Sequence, residues 1–114
     1  SLASMFPRSD ALVVYCDSED LNFCADALLR IVADLDFEVP TSLFTCRLGP
    51  SVAYAYEPIG TGGRLSFGEH RSQALAEGVI RSETAKGRSV VDCVRRAFLD
   101  GGIDPVRPWL NLEA

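Results

Sequence analysis

The sequence has no run of the roughly 20 apolar residues that an α-helix needs to cross a bilayer, and no basic segment leading into a long apolar one. A membrane span and a secretory leader are therefore not expected, and a soluble cytoplasmic protein is. There is no CxxC pair and only one histidine, so Cys16, Cys24, Cys46 and Cys93 lack the spacing of a zinc site. They read as free thiols buried among apolar neighbours in a reducing compartment. The GxxxxGK[ST] and GxGxxG patterns are both missing, which removes the two familiar phosphate-cradling loops. Positive charge is also in deficit: the net charge is -5, and no basic motif interleaved with aromatics appears. Phosphate backbones are repelled by such a surface, so direct nucleic-acid binding is not expected. No cofactor or metal is called for.

What is present suits one compact domain. The 114 residues are 47% hydrophobic and 24% charged, and a chain of this size buries more than about 60% of its unfolded surface without a staple. Met5 is the only methionine, so Ser1 to Ser4 read as vector-derived and the domain as residues 5–114.

Residues 11–16 (ALVVYC) form a short apolar run expected to be a strand buried on both faces. Asp17 or Ser18 then caps a helix, with Glu19 and Asp20 in its first turn, where the helix dipole favours acids. Leu21, Cys24, Leu28, Ile31, Val32 and Leu35 recur at steps of three and four, which predicts an apolar stripe. Pro40 closes that region. Residues 41–48 and 51–57 predict a hairpin turning at Gly49-Pro50, with Val52, Tyr54 and Tyr56 sharing one face by period two. Residues 58–64 (PIGTGGR) predict a loop, and 65–67 a short strand. A helix over 69–83 is weakened by Gly78, at about 1 kcal/mol relative to alanine. A further helix opens at Ser89, whose pairing with Asp92 resembles a capping box, and stops at Gly101-Gly102. The proline-bearing tail is expected to run extended, anchored by Trp109.

This order implies an α/β (α+β) two-layer sandwich: a mostly antiparallel sheet with helices on one face. One version is a ferredoxin-like βαββαβ arrangement whose last strand comes from the tail.

The charge is unevenly spread. Up to Glu38 eight acids face two arginines, a balance of -6, whereas from Arg64 onward eight bases face seven acids. Three of those bases, Arg88, Arg95 and Arg96, could form a basic ridge on the last helix, although pairing with the acidic first helix, or simply coating the surface, explains them as well. Asp17, Glu19, Asp20, Asp26, Asp34, Asp36 and Glu38, with Tyr54 and Tyr56, are the candidate partner-binding residues, because carboxylates steer a basic partner and tyrosines supply amphipathic contact area.

Catalysis would need a base, a nucleophile and a charge stabiliser together. The only histidine, His70, could act as a base beside Arg64 or Arg71, and Cys16, at the end of the first predicted strand, as a nucleophile. The expected function is a small acidic, non-enzymatic protein-binding module, monomeric or homodimeric, of the immunity or antitoxin type that neutralises a basic toxin or nuclease. A homo-oligomeric small-ligand regulatory domain using the glycine loop and a sheet edge stays open, as does a small hydrolase or transferase built on His70 and Cys16.

Overall fold

A computed structural model describes residues 12–35, 38 and 40–112. Ser1 to Ser4, Ala11 and Asp36, all named above, lie outside the described residues. Within them the fold is a small α+β one, with three α-helices and one two-stranded antiparallel sheet. The chain divides into two compact units, one ending at Tyr54 and the other starting at Ala55.

In the first unit Asp17 is extended, and its carbonyl accepts from the Asp20 N–H at 2.9 Å, closing a 3-10 turn over Ser18–Asp20. Helix α1, Leu21–Val32, follows directly. It ends earlier than Pro40 would require, before the acids at Asp34 and Glu38, which oppose the dipole at a helix C-terminus. Antiparallel strands β1 (Cys46–Gly49) and β2 (Val52–Tyr54) pair Cys46 with Tyr54 and Arg47 with Ala53, and the register shifts between Arg47 and Gly49. The hairpin is shorter than expected: residues 41–45 are a turn, in which the Thr45 hydroxyl donates to the Ser42 carbonyl at 2.6 Å. α1 meets the hairpin through Leu29, because a Cβ on Gly49 would stand 2.7 Å from Leu29 Cδ2. The packed face is therefore rotated from the predicted stripe. Leu21, Cys24, Leu28 and Val32 are half-buried as expected, but Ile31 is 63% exposed.

The strand expected over 11–16 is not formed in its described part. Residues 12–16 are irregular and exposed. A strand buried on both faces needs partners along both edges, and this unit offers among its described residues only the β1–β2 pair. The sheet is correspondingly two-stranded, and neither a ferredoxin-like order nor a two-layer sandwich is present among the described residues.

The second unit opens with the glycine loop, where Gly62 and Gly63 hold φ of 64° and 77°, values that a side chain strongly disfavours. The short strand expected over 65–67 is instead the start of a helix. Ser66 and Glu69 form a complete capping box: the Glu69 N–H donates to Ser66 Oγ at 3.2 Å, and the Ser66 N–H to Glu69 Oε1 at 3.3 Å. Helix α2, Phe67–Thr84, follows. Helix α3, Val90–Asp100, is capped by Ser89 Oγ, which accepts from the Asp92 N–H at 3.1 Å. α3 stops at Gly101-Gly102 as expected, with the Ile103 N–H returning to the Phe98 carbonyl at 2.9 Å. Ala74, Cys93, Ala97, Phe98 and Ile103 form the buried apolar core. Gly78 sits where α2 and α3 approach most closely: a Cβ there would lie 2.4 Å from Val94 Cα. This glycine is a packing requirement as well as a helix weakness.

The closing segment is a folded-back loop, not an extended strand. Ile103 bridges Asn111, the Leu112 N–H donates to the Gly102 carbonyl at 2.8 Å, and Asp104 Oδ1 accepts from the Val106 and Arg107 N–H groups. Its anchor is Arg71 more than the half-buried Trp109. The Arg71 side chain is fully buried, its Nε donating to the Pro108 carbonyl at 2.9 Å and its NH2 to the Leu110 carbonyl at 3.2 Å and Asn111 Oδ1 at 3.1 Å. The guanidinium also lies 4.5 Å over the Phe67 ring.

Two substitutions test this packing. Gly78→Ala should destabilise the protein by about 1–3 kcal/mol although alanine is the better helix former, because backbone atoms must separate; a gain in denaturant midpoint would refute the close crossing. Arg71→Met should destabilise it by about 3 kcal/mol or more, since the Pro108 carbonyl and the Asn111 amide oxygen lose the donor that Arg71 supplies and the Leu110 carbonyl keeps only the Asp104 N–H. A loss below about 1 kcal/mol would mean that the closing segment is held by other contacts.

Candidate functional site

The His70 face of α2 and the end of α3 enclose a groove of about 360 Å³, lined by His70, Gln73, Glu77, Arg81, Asp100 and Gly101 over Ala74 and Ala97. Helical spacing explains the α2 contribution: 70, 73, 74, 77 and 81 follow steps of three and four and so share one side. Arg81 crosses the groove, with NH1 donating to Asp100 Oδ2 at 2.8 Å and NH2 to Glu77 Oε1 at 2.6 Å. These two carboxylates, Asp100 first, hold the Arg81 guanidinium above its ordinary value. Three charges are thereby engaged with one another.

His70 is half-buried. Arg71 NH1 stands 2.9 Å from its Nδ1, and the ring also bonds to the Gly101 backbone. With Arg71 donating, Nδ1 is the acceptor of a neutral ring. Burial first, and the Arg71 charge second, lower its proton affinity against the opposing Gly101 bond. In a neutral ring the Nδ1 lone pair is thus engaged by Arg71. Glu69 is committed to the Ser66 cap, and Arg64 Nε donates to the Thr61 carbonyl at 2.9 Å.

Cys16 belongs to the first unit and is exposed. Its thiol is pushed above its ordinary value, chiefly by a hydrogen bond with Cys24, with the Asp20 and Asp17 carboxylates adding to the effect. That is the reverse of what activates a cysteine nucleophile. The expectation of four buried thiols holds for Cys93 alone; Cys24 and Cys46 are half-buried. No group of three or more metal-ligating side chains occurs among the described residues.

The acidic candidates fall on the first unit. Asp17, Glu19 and Asp20 occupy the turn before α1, Asp26 its outer side and Asp34 the turn after it, and all five are exposed. Glu38 is exposed and ion-paired with Arg47. Tyr54 is half-buried at the end of β2, whereas Tyr56 falls in the second unit at 40% exposure, its N–H donating to the Trp109 carbonyl at 2.9 Å. The shared aromatic face therefore ends where β2 ends. What the sequence did not flag is apolar exposure among these acids: Phe23 is 77% and Ile31 63% exposed on the outer side of α1. For Phe23 the signal is its place outside the apolar stripe; Ile31 belongs to the stripe and carries none.

The His70 environment generates a pH prediction. Its ring holds a proton less tightly in the folded state, so the unfolded chain protonates first, and stability present above the ordinary pKa of about 6.5 is lost as pH falls below it. Asp104, held below the usual carboxylate range chiefly by the Arg107 N–H, loses its contribution only in more acid solution. The melting temperature should therefore drop between about pH 7.5 and about pH 5, and His70→Asn should flatten that drop. Equal slopes in the two proteins would refute the assignment.

The chain has no match among curated proteins. The family model described as the HopA1 effector protein family matches residues 1–110 of the 114. A match spanning both units and nearly the whole sequence shows that the chain belongs to the HopA1 effector protein family.

Proposed function

We propose that this chain is a non-enzymatic protein-binding module of an effector, and that the outer side of α1 engages a basic protein partner. The observation that carries the reading is the pairing of apolar anchors with like charge. Phe23, Ala27 and Ile31 follow one another at four-residue steps, with Asp20 before them, Asp34 after them and Asp26 alongside. Over the described part of this unit six acids face two arginines. Exposed large apolar groups rimmed by charge are the make-up of an interface: the apolar centre supplies affinity, and the carboxylates speed and orient association.

Family membership supports the coarser half of this reading, since an effector acts on a target. The narrower half, neutralisation of a basic toxin or nuclease, would use the same face, because a cationic cleft demands the same carboxylates. The engaged groups around His70 and the raised Cys16 thiol favour binding over catalysis.

The test is charge reversal combined with removal of the anchor. Asp26→Lys with Asp34→Lys, and separately Phe23→Ser, should each weaken capture of the basic target by about tenfold or more, about 1.4 kcal/mol, while leaving the melting temperature nearly unchanged. Capture by the wild type should also fall as salt rises. If the variants alter melting and leave capture intact, the acidic side is only a solvated surface.

A further inference from the structure

The outer side of α3 has the opposite sign. Arg88, Asp92, Arg95, Arg96 and Leu99 line a groove of about 320 Å³. Arg88 stands just before the Ser89 cap, and Asp92, Arg95, Arg96 and Leu99 succeed one another at steps of three, one and three, so these four lie along one side of the helix. Cys93, Ala97 and Phe98, on the other side, are buried in the core. Asp92 is the sole acid in this groove, and it meets only Arg95, at 3.5 Å. Arg88 and Arg96 have no carboxylate partner among the described residues. Val91, at 65% exposure, and Leu99, at 39%, interleave apolar surface with the guanidinium groups.

From this arrangement we infer that the α3 groove is a second docking surface, and that its occupant is an acidic, leucine-bearing helix of a protein partner. Charge complementarity selects the acid: a guanidinium fork takes a carboxylate through two parallel hydrogen bonds, and two of these forks carry no competing anion. Spacing selects a helix. From Asp92 to Leu99 the helical part of the surface extends about 10 Å, about two turns, with Arg88 before the cap lengthening it at one end, and a helix laid along it presents acids and leucines at the same three- and four-residue steps. Apolar content selects protein over polyanion. Extended nucleic acid is drawn by unbroken basic surface and by aromatic stacking platforms, whereas this groove is broken by Asp92 and Leu99 and carries no aromatic side chain. A phospholipid surface calls for a denser basic cluster than three arginines.

The surface differs from the proposed α1 contact in sign and in the residues used, so the two can fail separately. The experiment titrates the full chain into a fluorescent synthetic helix of about three turns carrying Glu and Leu at four-residue spacing, read by anisotropy. Parallel arms use the same peptide with Gln for Glu, a single-stranded RNA, and phosphatidylserine vesicles. Saturable binding to the Glu peptide is expected, weakened at least about tenfold by the combined Arg88→Ala, Arg95→Ala and Arg96→Ala substitutions and by about threefold or more by Leu99→Ala. It should be untouched by Asp26→Lys with Asp34→Lys. Arg96→Ala alone, on an exposed side chain, should give a smaller loss in the same direction and serves if the triple variant does not fold. Equal affinity for the Gln peptide, equal or tighter binding of RNA or vesicles, or indifference to the arginine substitutions would overturn the proposal. So would sedimentation showing a dimer that the arginine substitutions convert to monomer, since the groove would then belong to a second copy of this chain.

Discussion

The second unit depends on a cation buried without an acid. Arg71 is fully buried, and its hydrogen-bond partners are two backbone carbonyls, an amide oxygen and an imidazole nitrogen. Burial pulls its proton affinity down, yet a guanidinium remains charged in proteins. Removing such a charge from water is expensive unless its N–H groups are met in good geometry. Here the closing segment meets them. The Pro108 and Leu110 carbonyls and the Asn111 amide converge on one planar group, and Asn111 in turn donates to the Glu57 carbonyl at 2.7 Å. The sequence from Gly102 to Leu112, which has no helix or extended strand of its own, is thereby given a fixed course. The same group adds to burial in lowering the proton affinity of His70, because a second cation beside Arg71 is repelled.

The His70 groove follows from the same packing. α2 and α3 cross closely enough that Gly78 admits no side chain against Val94, and Ala74 and Ala97 are buried with it. Small residues at the crossing bring the two backbones together. The longer polar side chains on the flank, Glu77, Arg81 and Asp100, are then within reach of one another and close an ion-pair network across the groove. That network is exposed, so it contributes little to stability. Its effect is to leave the flank electrostatically satisfied, in contrast with the α3 arginines.

The helices of the second unit were legible because their end signals are local. Ser89 and Gly101-Gly102 bound α3 through short-range capping, which a linear sequence displays directly. Ser66 and Glu69 carry the same kind of signal, but Leu65-Ser66-Phe67 also fits a strand, and reading it so hid the cap and delayed α2 by two residues. The hairpin turn was legible for the same local reason, though its strand lengths were not. Residues 12–16 show the limit of composition. An apolar run states a need for burial and does not say whether a partner strand exists. Arg71 shows the converse limit, since charge predicts exposure and only the tertiary course of a segment some forty residues away reverses it. Among the candidate partner-binding residues, exposure of the acids was readable from their types. The apolar exposure of Phe23 and Ile31 depended on which side of α1 met Gly49, and the stripe alone did not specify that.

The two units distribute their apolar surface differently, and this bears on why a binding role suits the chain. In the second unit Ala74, Cys93, Ala97, Phe98 and Ile103 are all buried; in the described part of the first, Val52 is the one buried hydrophobic residue and α1 has none. Leu12, Val13, Val14, Tyr15, Phe23, Ile31 and Leu43 all stand about half or more exposed there. A unit with so little interior gains little from hydrophobic burial to set against chain entropy. Any partner that covers those groups adds the missing burial and stabilises the folded form by mass action. On the proposed reading the carboxylates around α1 would set which partners approach, and the apolar groups how long they stay.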